Sequence, residues 1–401
     1  MSQAGERVIE VLGAFLRLGL RSFGGPMAHF GYFRAEFVAR RGWLDESAFA
    51  RLLALCQFLP GPASSQLGFA IGLRRAGLAG AMAAWFAFTL PSALLMYAFA
   101  RLAPVADGSW GAAVTHGLKL VAVAVVGAAL FSMGRTLARG PARLAIASTA
   151  AAMVVALDAA WAQLAAIAWG AALGSLAFRG AVGPLGEASR APVSHGLAWA
   201  CGALYAAGLA AALWWSSAGT GDASLVALLA SSWRAGALVF GGAHVVLPLL
   251  EHSMVDTGWI EPARFLAGYG AAQAVPGPMF SFAAYLGAVV PTGAPPPLAS
   301  ALATVAMFAP GLLLVVALAP AWQRLATLPR AAAAVAGIDA AVVGLLGAAL
   351  VDPVWSQGVG DALDGVVALA GLAATVSGRV PALAVVAGGV AIGLLRAALG
   401  A

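Results

Sequence analysis

The chain has 401 residues, of which 62% are apolar and only 9% are charged, and its mean hydropathy is +0.92. Soluble domains carry about a quarter charged residues, so this composition excludes a soluble globular protein and predicts a polytopic protein in the lipid bilayer. The net charge of +6 is spread along the chain, which argues against a nucleic-acid partner and makes the arginines markers of loop topology.

Cysteine and histidine usage excludes several cofactor classes. Cys56 and Cys201 lie in apolar surroundings far apart in the chain, and the five histidines form no cluster with metal-ligand spacing. We therefore expect no metal, no haem and no other cofactor. The N-terminus begins with a charged decapeptide rather than an apolar core with a cleavage site, so the chain is expected to insert through its own spans.

Apolar stretches of roughly 20 residues, the length that crosses the hydrocarbon core, occur in chain order at 76–100, 111–134, 194–216, 297–319, 331–351 and 380–400. Residues 143–178 predict two short spans joined by a tight turn, and 361–378 predict another short span. Glycine, proline or charge interrupts four further apolar segments, which are 8–22, 46–73, 224–240 and 262–290. Function is expected in these interrupted segments.

An internal repeat divides the chain into two homologous halves. The motif RLGLRSFGG at 17–25 aligns with RAGALVFGG at 234–242, GWLD at 42–45 with GWIE at 258–261, and QFLPGP at 57–62 with QAVPGP at 273–278. Further along, Pro91 aligns with Pro310 and Gly117 with Gly337. Motifs that recur in one order indicate duplication, so we predict an N-terminal repeat at 1–185 and a C-terminal repeat at 186–401.

The arginines predict that the second half is inverted in the membrane. The loop region of the first half contains Arg34, Arg40, Arg41 and Arg51, whereas the matching region at 251–264 is acidic and contains a single arginine, Arg264. Because Lys and Arg are retained on the cytoplasmic side, the two regions are expected to face opposite sides.

Each half contains a Pro-Gly-Pro turn between two short helical segments, at 60–62 and 276–278. We expect helices over 46–59 and 63–73, neither long enough to span. A re-entrant hairpin with the turn at its tip fits this pattern; a broken spanning helix and an ordinary loop are the alternatives. Irregular backbone at membrane depth is tolerated where it faces protein or a watery cavity.

The tips carry the groups expected to bind an anion. A proline at the first helical position leaves the following amides unpaired at the positive end of a helix dipole. The predicted ligands at the two tips are Gln57, Gly61, Ser64 and Ser65 in the first half, and Gln273, Gly277 and Ser281 in the second. For the polar side chains, hydrogen bonding between helices is the alternative role.

Two arginines precede the FGG triplets at equivalent places. Arg17 lies on an amphipathic helix that could rest in the membrane interface, but Arg234 lies in an apolar run, where a charge is costly. The guanidinium fork donates two parallel hydrogen bonds to a tetrahedral oxyanion. Since glycine lets backbone approach closely, the predicted site also includes Gly24, Gly25, Gly241 and Gly242.

Four further residues are weaker candidates. Lys119 and Asp339 follow the matched glycines by two residues, so opposite charges occupy equivalent places inside spans. They predict an intramembrane pair or a proton-handling carboxylate, although a lysine can also extend to the interface. His29 and His244 each follow an FGG triplet but do not align with one another.

Three sequence blocks resemble the chromate ion transporter family in its long, two-domain form. They are FGGPMAHFGYFRAEFVARRGWLDE at 23–46, LCQFLPGPASSQLGFAIG at 55–72 and FTLPSALLM at 88–96. The resemblance covers nearly the whole chain and implies a bacterial-type inner-membrane transporter that exports chromate. It also implies sulfate as a chemical mimic and exchange with protons or sulfate as the driving step. Asp339 departs from the uncharged polar residue expected there.

Together these observations predict an all-helical secondary transporter with inverted repeats and a site for a small divalent oxyanion near the midplane. A sulfate or other oxyanion importer is the alternative within this class. A membrane enzyme is the alternative from another class, and it would need a nucleophile, base or metal arrangement that the sequence does not offer at usable spacing. The oligomeric state is open, with a homodimer as one arrangement.

Overall fold

The computed structural model describes residues 3–23, 25–102, 109–157, 162–178, 193–218, 222–240, 246–321 and 328–399. Within these ranges the chain is helical and contains no β-strand, which confirms the all-α prediction. Four predicted site residues, Gly24, Gly241, Gly242 and His244, lie outside the described residues.

The first half forms seven described helices. They are α1 (Gln3–Gly19), α2 (Gly25–Arg34), α3 (Glu46–Phe58), α4 (Ala63–Leu102), α5 (Ser109–Leu137), α6 (Pro141–Leu157) and α7 (Ala162–Ala177). A π-helical turn at Ala35–Arg40 continues α2. Helix α4 is broken at Ala76 and at Gly77, whose φ of +66° is a conformation that glycine adopts without strain. The segment after the first Pro-Gly-Pro turn is therefore a separate short arm.

The second half begins with helix α8 (His195–Ala218) and then repeats this order. Its helices are α9 (Leu225–Leu238), α10 (Val246–Met254), α11 (Pro262–Ala272), α12 (Phe282–Val289), α13 (Pro296–Leu318), α14 (Pro329–Ala349), α15 (Ala362–Ser377) and α16 (Ala382–Leu399). A 3₁₀ turn at Met279–Ser281 precedes α12. Here the short arm and the long helix are separate elements.

Five helices are long and apolar enough to cross a membrane, in the ranges Ala63–Leu102, Gly111–Leu137, His195–Ser216, Pro296–Leu318 and Pro329–Gly358. They coincide with five of the six predicted long spans. The sixth, 380–400, forms the shorter apolar helix α16, and 143–178 forms the two short helices α6 and α7 as predicted. The chain is therefore a multi-pass membrane protein.

The two halves exchange helices. Helix α5 of the first half packs against α15 and α16 of the second, and α14 of the second half packs against α6 and α7 of the first. Glycines permit both crossings: a Cβ on Gly117 would clash with the carbonyl oxygen of Gly389, and one on Gly337 with that of Gly170. Small residues let membrane helices approach this closely, so the matched glycines Gly117 and Gly337 are packing positions.

Helices α1 and α9 occupy equivalent places beside the long proline-containing helices. A Cβ on Gly19 would lie 2.9 Å from the carbonyl oxygens of Ala87 and Phe88 in α4. The equivalent Gly236 of α9 would clash with the carbonyl oxygen of Met307 in α13. The arginine-containing helices are thus held tightly against α4 and α13, and the segments that follow them are fixed next to those helices.

Candidate functional site

The Pro-Gly-Pro turns form two tips that contact the opposite half. The φ angles of Gly61 (+123°) and Gly277 (+98°) are left-handed, so each turn requires its glycine. The amide of Gly61 donates a 2.7 Å hydrogen bond to the carbonyl oxygen of Val239, and the amide of Gly277 donates a 2.8 Å bond to that of Ser22. Ser22 and Val239 are equivalent positions, so the two contacts are reciprocal.

Each tip also lies against the proline-containing helix of the other half. A Cβ on Gly61 would lie 2.9 Å from the Cα of Gly311, which follows Pro310 in α13. A Cβ on Gly277 would lie 3.0 Å from the Oγ of Ser92, which follows Pro91 in α4. The aligned prolines therefore mark the places where the tips dock, and both halves contribute to the candidate site.

The first tip matches the predicted unpaired helix start. The first intrahelical bond of α4 runs from the Gln66 amide to the Pro62 carbonyl oxygen at 2.9 Å, so the three preceding amides have no partner in their own helix. Ser64 and Ser65 are buried there. The side chain of Gln66 donates to the carbonyl oxygens of Pro60 (2.9 Å) and Gly311 (3.1 Å). Sequence reasoning missed Gln66, although it is the polar residue next to the two serines.

The second tip has a different local structure. The Ser281 amide donates a 3.0 Å bond to the Pro278 carbonyl oxygen within the 3₁₀ turn, so one fewer amide is unpaired. The two predicted carboxamides also differ: Gln273 donates to the sulfur of Met279 at 2.7 Å, whereas Gln57 is exposed on α3. Residues of the same type at aligned positions in the two halves therefore do not have equivalent surroundings or partners.

The two predicted arginines lie in different surroundings. Arg234 is buried, with 7% of its surface exposed, and its Nη2 donates to the hydroxyl of Ser253 in α10. Arg17 is exposed, and its Nε donates to the carbonyl oxygen of Gly13 in its own helix at 3.1 Å. Among the described residues, no carboxylate forms an ion pair with Arg234. Of the two arginines, Arg234 is therefore the one that is desolvated without a counter-charge from the described residues.

Lys119 and Asp339 both lie at the crossings between the halves, but they do not pair with each other. Lys119 donates to the carbonyl oxygen of Gln357 at 2.9 Å. Asp339 has an electrostatic attraction to the charge of Arg143 in α6. Its Oδ1 is buried without a hydrogen-bond partner. Asp339 is therefore a buried carboxylate with an acceptor oxygen available for a proton.

A cross-half ion cluster that sequence reasoning missed surrounds Asp364. His116 of α5 contacts its Oδ1 at 2.8 Å, and Arg396 of α16 donates to the same oxygen and to Asp361. Hydrogen bonds from the Asp364 amide and from Arg396 hold the pKa of Asp361 below its usual value. Every charge of this cluster has a partner, so it joins the halves and leaves no charge for a ligand.

The arginine-rich loop of the first half is also internally paired. Glu10 accepts hydrogen bonds from Arg41 (3.2 Å) and Arg75 (2.8 Å), and both guanidinium groups stack on the ring of Trp43. Arg75 adjoins the break in α4, so this cluster fixes the base of the first short arm to α1. In the described ranges no group of three His, Cys, Asp or Glu residues could hold a metal ion.

Two helical repeats with interlocked spans and two reciprocal tips define a multi-pass membrane protein built from two similar halves. The family model described as "Chromate transporter" matches residues 9–175 and again 226–394, once in each half. The chain therefore belongs to the chromate transporter family.

Curated relatives agree with this assignment. The chain is 29% identical to the "Chromate transport protein" of Pseudomonas aeruginosa, covering 86% of this chain and 80% of the relative. It is 28% identical to the "Probable chromate transport protein" of Synechococcus elongatus, covering 84% and 82% respectively. It is 27% identical to the "Chromate transport protein" of Cupriavidus metallidurans, covering 84% and 80%. No solved structure matches the chain. Relatives with these names point to a transporter rather than an enzyme.

Proposed function

We propose that this protein is a secondary transporter that exports chromate or a similar divalent, sulfate-like oxyanion across a bacterial-type inner membrane. The site lies where the two Pro-Gly-Pro tips meet the opposite halves, with Arg234 as its charged ligand. The chromate transport named for the relatives supports the substrate class, and the two inverted halves would present the site alternately to each side.

The buried guanidinium of Arg234 carries this proposal. A buried cation without a counter-charge is strongly disfavoured, and the described neighbours of Arg234 supply a neutral hydroxyl but no carboxylate. An anionic ligand would provide the missing charge. A tetrahedral oxyanion also matches the two parallel donors of the guanidinium fork.

The helix that carries Arg234 leads directly to the first tip. Helix α9 ends at Leu238, and the next residue, Val239, accepts the hydrogen bond from the amide of Gly61. The guanidinium and the tip are therefore connected by one short segment. The position of Arg17, exposed and bonded within its own helix, leaves it outside the proposed site.

Coupling is proposed to use a proton or a counter-anion, with Asp339 and Lys119 as the candidate residues. Asp339 is the stronger of the two, because a carboxylate with an unpartnered oxygen at a helix crossing can take up a proton when the crossing rearranges. Lys119 already donates to a backbone oxygen, which favours a structural role for this residue.

Transport into everted membrane vesicles tests the proposal. Vesicles containing the full chain should accumulate labelled chromate when energised, and unlabelled sulfate or selenate should compete more strongly than phosphate. Accumulation only in right-side-out vesicles would favour an oxyanion importer. No difference from vesicles that lack the protein, in either orientation, would contradict oxyanion transport.

A further inference from the structure

The two tips are not equally able to accept a ligand. At the first tip, the carboxamide of Gln66 already donates to Pro60 and Gly311, the two carbonyl groups next to the turn. The equivalent position of the second half is Phe282, which cannot make these bonds. Instead, polar groups from the opposite half surround the second tip, so the pseudo-symmetric turns differ in chemistry.

Four buried polar side chains at the second tip have a polar atom without a hydrogen-bond partner. The exposed fractions are 0% for Ser22, 1% for His29, 3% for Thr89 and 0% for Ser281. The unpartnered atoms are three hydroxyl oxygens and the Nδ1 of the imidazole. Buried polar groups are nearly always hydrogen-bonded, and the exceptions require an explanation. The first tip has two such side chains, Ser65 and Gln66, so the larger group at the second tip indicates a place for a ligand there.

The contacts of Ser22 and Phe88 place Ser22, His29 and the Phe88 backbone beside Gly277, and Ser281 follows Gly277 in the same turn. The carbonyl oxygen of Ser22 accepts both the Gly277 amide (2.8 Å) and the Nε2 of His29 (3.1 Å). The imidazole also contacts the ring of Phe88, at 5.2 Å between centroids. The carbonyl oxygen of Phe88 would lie 3.1 Å from a Cβ on Gly277, and Thr89 is the next residue in α4.

The bond to Ser22 determines the protonation chemistry of His29. A carbonyl oxygen can only accept a hydrogen bond, so Nε2 must carry a hydrogen. Nδ1 then has a bare lone pair when the imidazole is neutral and becomes a donor only when the ring takes up a second proton. His29 can therefore donate to an anion solely as imidazolium.

The described groups facing His29 leave its positive charge uncompensated. Its own segment contributes the Ser22 carbonyl oxygen, α4 contributes the Phe88 ring, and the second tip contributes the Gly277 amide. None of these is an acid, and burial lowers the pKa of His29 to about 4, so the imidazole is neutral when the site is empty. A bound dianion would supply the counter-charge, so anion binding and protonation of His29 favour each other.

We propose that the oxyanion binds at the second tip, with the hydroxyl groups of Ser22, Thr89 and Ser281 as neutral donors and His29 as a donor that requires a proton. This inference rests on the proposed oxyanion transport and adds a binding position at the second tip, distinct from the Arg234 guanidinium, whose helix leads to the first tip. Binding is accompanied by uptake of one proton on Nδ1, and Nδ1 loses that proton once the site is empty.

The proposed site at the second tip is tested by equilibrium binding of labelled chromate. The full chain is measured in lipid nanodiscs between pH 8 and pH 5. The key variant is His29→Gln, which retains a donor for the Ser22 carbonyl oxygen but cannot take up a proton. Because chromate itself protonates in this range, the informative quantity is the ratio of wild-type to variant affinity at each pH. We expect this ratio to rise by about tenfold or more toward pH 5, as for a charge-assisted bond.

Serine variants separate the two tips without changing charge. Ser281→Ala is expected to weaken binding about fivefold, the effect of one neutral hydrogen bond, and Ser65→Ala, at the equivalent place of the first tip, less. Ser300→Ala is the matched control, because Ser300 is also buried with an unpartnered hydroxyl but lies elsewhere in α13. His195→Gln, on the exposed start of α8, controls for loss of a histidine. These two controls should bind as wild type does.

Two outcomes overturn the inference while leaving oxyanion transport intact. A constant ratio of wild-type to His29→Gln affinity across the pH range would show that His29 is not a proton-dependent ligand of the anion. An equal loss in Ser65→Ala and Ser281→Ala would restore a symmetric two-tip site. Failure of wild-type protein to bind chromate at any pH would instead contradict the proposed function. If His29→Gln does not fold, the serine variants decide.

Discussion

Replacement of Arg234 by glutamine should weaken oxyanion binding without destabilising the empty protein. Glutamine retains a donor for the Ser253 hydroxyl, but it removes the charge from a side chain that is only 7% exposed. The loss of a charge-assisted hydrogen bond costs about 1.5–3 kcal/mol, which corresponds to about tenfold to a hundredfold in affinity. At the same time, the variant no longer buries an uncompensated charge.

The two expected effects, a lower affinity for chromate and an unchanged or higher thermal stability, distinguish an arginine that binds the ligand from a structural one. We expect the apparent affinity for chromate in everted vesicles to fall, while the thermal midpoint of the ligand-free protein in detergent stays the same or rises. Arg234→Lys should fall between wild type and Arg234→Gln in affinity, because it keeps the charge and loses the fork. Arg17→Gln is the matched comparison, since Arg17 occupies the aligned position but is exposed.

Unchanged chromate affinity in folded, membrane-inserted Arg234→Gln protein would refute the reasoning. So would a large loss of thermal stability with normal affinity, because that pattern belongs to an arginine whose task is to hold α10 through Ser253. Equal losses in Arg17→Gln and Arg234→Gln would mean that exposure in this structure does not decide which arginine meets the anion.

Three further predictions address coupling, topology and helix packing. Asp339→Asn should abolish chromate uptake driven by a pH gradient but retain exchange of labelled for unlabelled chromate, because exchange moves no net proton; a normal response to the gradient would return Asp339 to a structural role. In a background without Cys56 and Cys201, single cysteines replacing Arg40 and Asp256 should react with an impermeant thiol reagent from opposite sides of the membrane, and labelling from one side would contradict inversion of the halves. Gly117→Ala should lower the free energy of unfolding by about 1–3 kcal/mol, because its Cβ clashes with the Gly389 carbonyl oxygen, whereas Gly134→Ala in the same helix meets open space and should be neutral or stabilising in thermal unfolding; equal effects of the two changes would contradict the crossing.

Local chemistry explains what could be read without a structure. The long spans follow from hydropathy, and the breaks at Pro60 and Pro276 follow from the conformational restriction of proline, neither of which depends on distant residues. The repeat, the pairing of Pro91 with Pro310 and the family resemblance are also properties of the residue order alone. The unpaired helix start after Pro62 was predictable for the same reason, because a helix terminus leaves its first amides free wherever it lies.

The tertiary structure decided which of these local features meet. The exchange of α5 and α14 between the halves brings Gly117 to Gly389, and the docking of each tip onto the other half brings Gly277 to Ser22. Neither pairing leaves a trace in local periodicity, because the partners are far apart in the chain. Gln66, Ser22 and Thr89 were missed for this reason, since a polar residue in an apolar run reveals its role only through its neighbours.

The aligned arginines show the limit of reading function from a repeat. Arg17 and Arg234 occupy the same place in equivalent helices, so their backbone positions correspond, and the sequence assigned them one role. Their side chains differ because one is exposed and bonds to its own helix, whereas the other is enclosed against α10. A desolvated guanidinium needs an anionic partner, and its desolvation depends on the packing around the side chain rather than on its position in a motif.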